Sequence, residues 1–184
     1  SPHEGACQDR NPAGQGLLHA LAELLEEGGV DVHIEGVVKA FHVRDGLAAK
    51  LAQRAGITIV LLTSRRSQSL ERRARELGIS DLRQGAANKL EEMEKAARRL
   101  DIELEEILYV GDDLPDLAPM ARAGISAAPA DAAAEVLAAA QWKLESRGGG
   151  GAFREVVERL LRERGDWDDL VREFVNGRTE TSGN

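Results

Sequence analysis

Three carboxylates follow a short apolar run near the middle of the chain. The run 107–110 ends in Gly111, and Asp112, Asp113 and Asp116 come directly after it. Such a run predicts a buried strand, whose carboxyl end lies at the sheet edge where α/β proteins bind ligands. Hard cations such as Mg²⁺ prefer oxygen ligands and offset the repulsion among close carboxylates. The segment therefore predicts a metal site, although an acidic turn that caps the next helix fits it equally well.

Hydroxyl side chains follow a second apolar run. The sequence Thr63–Ser67 (TSRRS) comes directly after the run 57–62 and leads into a helical segment. Small hydroxyls and backbone N–H groups at such a place can bind phosphate oxygens. Ser and Thr also favour the N-cap of a helix, and for this segment alone capping is the simpler interpretation.

A lysine stands at the start of a predicted helix. Lys89 is the second residue of the amphipathic segment 88–100. The helix macrodipole disfavours a cation there, so a nearby anion would explain its position. Most lysines near helix starts are only solvated, and alone this residue is a weak signal.

Short apolar runs alternate with helical segments through the middle of the chain, which predicts a parallel α/β sheet with right-handed crossovers. The predicted strands are 57–62, 107–110 and 125–128. The predicted helices are 46–55, 68–77, 88–100, 117–123, 132–140 and 153–164. Because the loops after neighbouring parallel strands meet at one edge, we expect Thr63 and Lys89 to face the three carboxylates.

The two ends of the chain lack this alternation. We expect residues 1–14 to be loosely ordered, and the apolar spacing of 15–27 predicts an amphipathic helix. Residues 30–43 predict a β-hairpin. It is too apolar for an exposed ribbon, so we expect copies of the chain to bury it against one another. The glycines at 148–151 predict a flexible loop, and we expect residues 179–184 to be disordered.

Composition narrows the class of protein. The 184 residues are 42% hydrophobic and 30% charged, with a net charge of −8, which favours a soluble domain and argues against nucleic acid as a partner. Cys7 is the only cysteine, so the chain cannot form an internal disulfide. We therefore expect it in a reducing compartment, the cytoplasm. No apolar run approaches the ~18 residues that span a membrane.

We expect a divergent N-terminal segment (1–29), a main domain (30–165) and a tail (166–184).

Together these segments resemble the haloacid dehalogenase superfamily of phosphatases. Thr63 matches its second motif, Lys89 its third, and Asp112 with Asp116 its fourth. Within the superfamily, seven collinear segments are similar to the 3-deoxy-D-manno-octulosonate 8-phosphate phosphatase family and cover about two-thirds of the chain. They are KAFHVRDG (39–46), LLTSRRS (61–67), ERRARELGI (71–79), QGAANKL (84–90), YVGDDLPDL (109–117), AGISAAPADA (123–132) and GGGGAFREV (148–156).

The resemblance implies a capless haloacid dehalogenase fold, which is a Rossmann-like α/β sheet flanked by helices. It implies a Mg²⁺-dependent phosphomonoesterase that forms homotetramers through its β-hairpin. Asp112 would be a Mg²⁺ ligand, with Asp113 and Asp116 supporting the metal.

The resemblance also implies how a substrate would be held. Thr63 and Ser64 would bind the transferring phosphoryl group, and Lys89 would neutralise its charge. Preorganised charge of this kind is the main catalytic contribution in phosphoryl transfer. Arg65 and Arg154 would be candidates to bind a small phosphorylated sugar acid, although surface arginines are usually only solvated.

The chain departs from the family at its first motif. That motif is an Asp-x-Asp-Gly box at the end of the first strand, where one Asp attacks phosphorus and the other acts as acid and base. Residues 1–29 contain no such box and predict no buried strand. Asp9 follows polar residues rather than an apolar strand, and the second residue after Asp31 is His33 rather than Asp. In the family this first strand is the central strand of the sheet. Residues 30–34 are the only other predicted strand that could take its place. Ser64 also departs, since the family usually has Gly.

Three interpretations stay open. The chain is a phosphatase-family domain, a non-catalytic oligomerisation or phosphate-binding module derived from that family, or a gene product whose first strand was lost upstream of Ser1. We expect phosphatase turnover to be very low because no nucleophile is identifiable. We also expect Mg²⁺ binding to be weak, because family ligands are missing and Mg²⁺ gives up water reluctantly.

Overall fold

The computed structural model describes residues 18–20 and 43–177. In these residues the strands form one sheet in the order β3-β2-β1-β4-β5-β6, and every neighbouring pair is parallel. The strands are β1 (Leu18–Ala20), β2 (Thr58–Thr63), β3 (Asp81–Gln84), β4 (Ile107–Val110), β5 (Ile125–Ala128) and β6 (Trp142–Lys143). The predicted parallel α/β sheet is confirmed.

Helices cover both faces of this sheet. They are α1 (Val43–Arg54), α2 (Gln68–Glu76), α3 (Lys89–Leu100), α4 (Leu117–Met120), α5 (Ala134–Ala139), α6 (Ala152–Arg164) and α7 (Trp167–Val175). Alternate strand residues serve opposite faces. Ile59 and Leu61 pack with α1, α2, α6 and α7, whereas Val60 and Leu62 pack with α3, α4 and α5. This explains why residues 59–62 of β2 form an unbroken apolar run.

The central strand comes from a segment predicted to be helical. Leu18–Ala20 pairs with β2 on one side and β4 on the other. The prediction of a helix over residues 15–27 is therefore wrong at these positions, and so is the expectation of no strand before residue 30. A short apolar run is ambiguous between helix and strand, and here two neighbouring strands supply hydrogen-bonding partners along both edges. Residues 30–34 are not needed at the centre.

Other differences concern short elements. Strands β3 and β6 are not predicted by the sequence, since β3 is polar and β6 is only two residues long; they lie at the two edges of the sheet. Helix α1 begins at Val43, which is the last residue of the predicted hairpin, so the hairpin prediction is wrong at this residue. The rest of the predicted hairpin (30–42), residues 1–14 and the tail from residue 179 lie outside the described residues.

The C-terminal helix packs on the body of the domain. Trp167 and Leu170 of α7 are buried in the same core cluster as α1 and α6. The glycine loop before α6 is anchored, since the N–H of Gly148 donates to Asp131 Oδ1 at 2.7 Å. Within the described residues, no helix is long and apolar enough to cross a membrane.

Candidate functional site

Thr63 and Asp112 stand at the same edge of the sheet. Val60 in β2 and Tyr109 in β4 are both register partners of Ala20. Thr63 is the third residue after Val60, and Asp112 is the third residue after Tyr109. Thr63 and Asp112 therefore lie at the same height along the parallel strands, on opposite sides of β1. Two strand spacings separate them by about 10 Å. This is the arrangement expected from parallel strands.

The carboxylate of Asp116 is the centre of a hydrogen-bond network at this edge. Its Oδ1 accepts from Lys89 Nζ at 2.8 Å and from the Tyr109 hydroxyl at 2.6 Å. Its Oδ2 accepts from the backbone N–H groups of Asp112 at 3.2 Å and Asp113 at 3.3 Å. A carboxylate offers about four lone-pair positions. Asp116 therefore ties the start of α3 to the loop after β4, and its oxygens are already engaged by protein donors.

The position of Lys89 at the start of α3 is explained by this carboxylate. The helix is capped by Asn88, whose side chain accepts from the N–H of Glu91 at 3.2 Å. A lysine in the first turn opposes the helix macrodipole. Here the side chain turns inward and pairs with Asp116, and both side chains are only 2% exposed. The anion that its position suggested is thus present within the protein.

A glycine makes room for the buried carboxylate. A Cβ placed on Gly111 would lie 2.8 Å from Asp116 Cγ, which is closer than real contacts allow, and 3.0 Å from Met120 Sδ, which is unusually tight. The backbone of Gly111 also stays in the sheet edge, because its N–H donates to the carbonyl of Ala127 at 3.1 Å. Glycine at the end of β4 therefore permits Asp116 to fold back against the strand.

Asp113 behaves differently from its neighbours. It is exposed, and its Oδ1 accepts the N–H of Leu114 at 2.8 Å at the start of a 3₁₀ helix, Leu114–Asp116. Its backbone N–H in turn donates to Asp116, which completes a capping box. The capping interpretation of the acidic segment is thus confirmed for Asp113, while Asp112 is half-buried at the sheet edge.

The oxygen donors in this segment suit Mg²⁺ chemically but form an incomplete set. In the described part of the chain, no three His, Cys, Asp or Glu side chains form a group that could hold a metal ion. Mg²⁺ requires near-octahedral oxygen coordination and otherwise keeps its waters. Asp112, with Asp113 beside it, could supply carboxylate ligands, whereas Asp116 is committed to internal donors. The metal role of these residues stays a prediction.

The loop after β2 combines a buried hydroxyl with a helix cap. Thr63 is only 4% exposed, and its Oγ1 accepts the N–H of Arg65 at 3.1 Å. Ser67 is the N-cap of α2, since its Oγ accepts the N–H of Leu70 at 3.2 Å. The capping interpretation is therefore confirmed for Ser67 but does not account for Thr63. The Ser64 and Arg65 side chains are exposed beside it.

Arg154 has its contacts on helices α1, α6 and α7. Its backbone N–H donates to Oδ1 of the buried Asp45 at 2.8 Å, which satisfies a donor in the first turn of α6. Its guanidinium donates to Glu158 at 3.2 Å and lies 5.1 Å from the centroid of the Trp167 ring. Partial burial raises the pKa of Glu158, but hydrogen bonds from Arg162 and Arg154 outweigh this and leave it below its usual value. A substrate role for Arg154 stays a prediction.

Two buried residues that form hydrogen bonds with candidate site residues do not stand out in the sequence: Tyr109, which donates to Asp116, and Asp45, which accepts from Arg154. The sequence predicts Tyr109 only as part of an apolar strand and predicts no role for Asp45. A tyrosine within a buried strand must find a partner for its hydroxyl, which is a signal in the sequence. Asp45 carries no comparable signal, because its partner is a backbone N–H more than one hundred positions away.

Comparison with known proteins places the chain in a family. The model described as haloacid dehalogenase-like hydrolase matches residues 8–124, more than half of the chain. The 3-deoxy-D-manno-octulosonate 8-phosphate phosphatase KdsC of Escherichia coli K12 is 39% identical over 132 residues, which are 72% of this chain and 70% of that protein. The protein of the same name from Yersinia pestis is 40% identical over 124 residues, 67% of this chain and 66% of the relative.

Solved structures agree with this relationship. The fold is similar to that of the 3-deoxy-D-manno-octulosonate 8-phosphate phosphatase of Moraxella catarrhalis in complex with magnesium, phosphate and KDO. The TM-score is 0.82 at 33% identity, over 89% of this chain and 95% of that one. The cobalt-bound deoxy-D-mannose-octulosonate 8-phosphate phosphatase of Haemophilus influenzae gives a TM-score of 0.81 at 32% identity, over 89% and 98% of the two chains. This chain therefore belongs to the haloacid dehalogenase-like hydrolase family.

Proposed function

We propose that this chain binds a phosphorylated 2-keto-3-deoxy sugar acid at the sheet edge that carries Thr63 and Asp112, with very little turnover. One observation carries the proposal. Thr63, Lys89 and Asp116 are assembled at that edge, while the sequence offers no Asp-x-Asp-Gly box. The relatives named octulosonate 8-phosphate phosphatase support the substrate class.

The phosphoryl group would be bound by hydroxyls and positive charge. Thr63 supplies a buried hydroxyl, and Ser64 supplies an exposed one beside it. Lys89 brings a cation to the same edge, partly balanced by Asp116. Arg65 is exposed in the same loop and could contact the phosphate or the sugar carboxylate, since a guanidinium matches both groups.

Mg²⁺ would support this site through Asp112, with Asp113 beside it. When bound, the ion would neutralise charge on a phosphoryl oxygen. The magnesium in the structure of the Moraxella catarrhalis relative supports this cofactor. We propose that the ion binds weakly here, because the described residues offer fewer than three convergent carboxylates.

Turnover would be low because the covalent step lacks its nucleophile. In the family that Asp follows the first strand, but the residues after Ala20 in this sequence are Leu21, Ala22 and Glu23. Removing a nucleophile costs on the order of 10⁶ in kcat in another hydrolase class. Thr63 and Lys89 bind and polarise a phosphoryl group but form no aspartyl-phosphate.

Phosphate release from octulosonate 8-phosphate, measured with Mg²⁺, tests the low turnover. We expect a kcat far below ~1 s⁻¹, and a value above that would overturn the proposal. In that case Asp9→Asn and Asp31→Asn would identify the nucleophile. Titration calorimetry with the same compound tests binding. Lys89→Met should abolish the heat of binding, whereas Lys95→Met, on an exposed turn of the same helix, should not change it.

A non-catalytic assembly module is the second candidate. It is favoured by the apolar content of residues 30–43, which we propose to be buried in a homotetramer. On that reading the chain oligomerises but binds no sugar phosphate. Calorimetry without a binding signal, together with a tetramer in solution, would select this candidate. We propose the cytoplasm as its location and neither nucleic acid nor membrane as a partner.

A further inference from the structure

A glutamine side chain ties together the two loops that carry Thr63 and Lys89. Gln84 is the last residue of β3 and the register partner of Thr63. Its Oε1 accepts the backbone N–H of Ser67, and its Nε2 donates to Glu71 Oε1 at 2.7 Å. It therefore contacts both the start and the first turn of α2, the helix that follows the loop of Thr63.

The chemistry of these partners fixes the orientation of the amide. A backbone N–H can only donate, so it requires the carbonyl oxygen of Gln84. An ionised carboxylate can only accept, so it requires the NH₂ group. Glutamate at this position would keep the first hydrogen bond but would place a second carboxylate against Glu71. Only an amide of this length satisfies both neighbours.

Backbone hydrogen bonds continue the same connection. The N–H of Ala86 donates to the carbonyl of Thr63 at 3.0 Å, and the N–H of Gly85 donates to the carbonyl of Arg65 at 3.3 Å. Gly85 has a φ of +71°, a conformation that other residues rarely adopt. Residues 84–86 thus run alongside residues 63–67 and then lead directly into α3, which begins at Lys89.

We propose that Gln84 and Glu71 are a positioning pair that sets the spacing between the Thr63 hydroxyl and the Lys89 ammonium, and thereby the affinity for a phosphate group. Both residues act through the loop and neither touches the ligand. The effect on phosphate affinity rests on the proposed function. The effect on loop order does not, because the hydrogen bonds belong to the protein alone.

Three variants with nearly the same shape test the pair. Gln84→Glu opposes two carboxylates and should weaken binding of inorganic phosphate about tenfold, the size of one lost hydrogen bond to a charged group. Glu71→Gln still accepts from Gln84 and should change affinity less than about twofold. The double variant exchanges amide and carboxylate, restores both hydrogen bonds and should return to within about twofold of the original affinity.

Two readouts separate positioning from a general loss of stability. Phosphate affinity is measured by calorimetry, and amide hydrogen exchange over residues 63–67 is measured without ligand. Faster exchange in Gln84→Glu with recovery in the double variant supports the pair, even if no variant binds phosphate and the proposed function fails. Unchanged exchange and affinity in Gln84→Glu would overturn it. Equal losses in Gln84→Glu and the double variant would show a merely structural role and also overturn it. If Gln84→Glu does not fold, a folded double variant with native exchange supports the pair.

Discussion

Replacing Lys89 with Met should destabilise the protein although the side chains have similar length. The side chains of Lys89 and Asp116 are each 2% exposed, and 2.8 Å separates Nζ from Oδ1. Met removes the cation and leaves a buried carboxylate without its balancing charge. Removing one partner of a buried pair costs about 3–5 kcal/mol.

The lower end of that range applies here, because Asp116 keeps three other donors. The Tyr109 hydroxyl and the N–H groups of Asp112 and Asp113 continue to solvate the carboxylate. We therefore expect a loss of about 3 kcal/mol in the free energy of unfolding. With an m-value of about 2–3 kcal/mol per molar urea, the midpoint should fall by roughly 1–1.5 M.

Urea unfolding followed by circular dichroism measures this shift, and Lys95→Met is the matched control. Lys95 lies in the same helix, and its Nζ is also 2.8 Å from a carboxylate oxygen, that of Glu91, but its side chain is 49% exposed. Surface pairs of this kind contribute little, so the control midpoint should stay unchanged. Equal midpoints for both variants would refute the reasoning that burial, rather than distance, sets the energy of the pair.

Three further outcomes are expected. Gly124→Ala should lower the free energy of unfolding in urea by about 2 kcal/mol or more, because the new Cβ would lie 2.6 Å from the backbone carbonyl carbon of Glu105. An unchanged urea midpoint would contradict this. Glu158→Gln should lower the melting temperature at pH 7. Because the pKa of Glu158 is lowered in the folded protein, its contribution to stability is lost as the pH falls through that pKa. The difference in melting temperature between the variant and the original chain should therefore shrink in acid, and a difference that grows in acid would contradict this. Light scattering at micromolar concentration should show a tetramer, and a monomer would exclude assembly through residues 30–43.

The sequence predicted the elements whose patterns do not depend on distant neighbours. Strand β4 and residues 59–62 of β2 are unbroken apolar runs, and α3 has a clear apolar stripe, so each element is predicted to within one or two residues. Leu18–Ala20 was missed because the surrounding leucines fit helical spacing as well. Its identity as a strand depends on partners about 40 and 90 positions away. Edge strand β3 (DLRQ) was missed because its composition is polar.

The site was predictable at the level of topology but not of individual hydrogen bonds. That Thr63 and Asp112 share an edge follows from parallel strands alone. The sequence presents Asp112, Asp113 and Asp116 as one acidic group, yet each has a different environment in the structure. Which carboxylate turns inward depends on the positions of Lys89 and Tyr109, and these are set by tertiary packing.

Three of the motif residues have a role in the fold as well as a possible role in ligand binding. Lys89 and Asp116 form a buried pair, and Thr63 anchors the loop before α2, so all three also stabilise the fold. Their presence would persist in a chain without turnover, because losing them would cost stability as well as chemistry. Ser64 and Arg65 are exposed in the same loop. Exposed side chains contribute little to the stability of the fold. Ligand contacts made by Ser64 and Arg65 would therefore show that the site binds a ligand, whereas Thr63, Lys89 and Asp116 would be retained for stability alone.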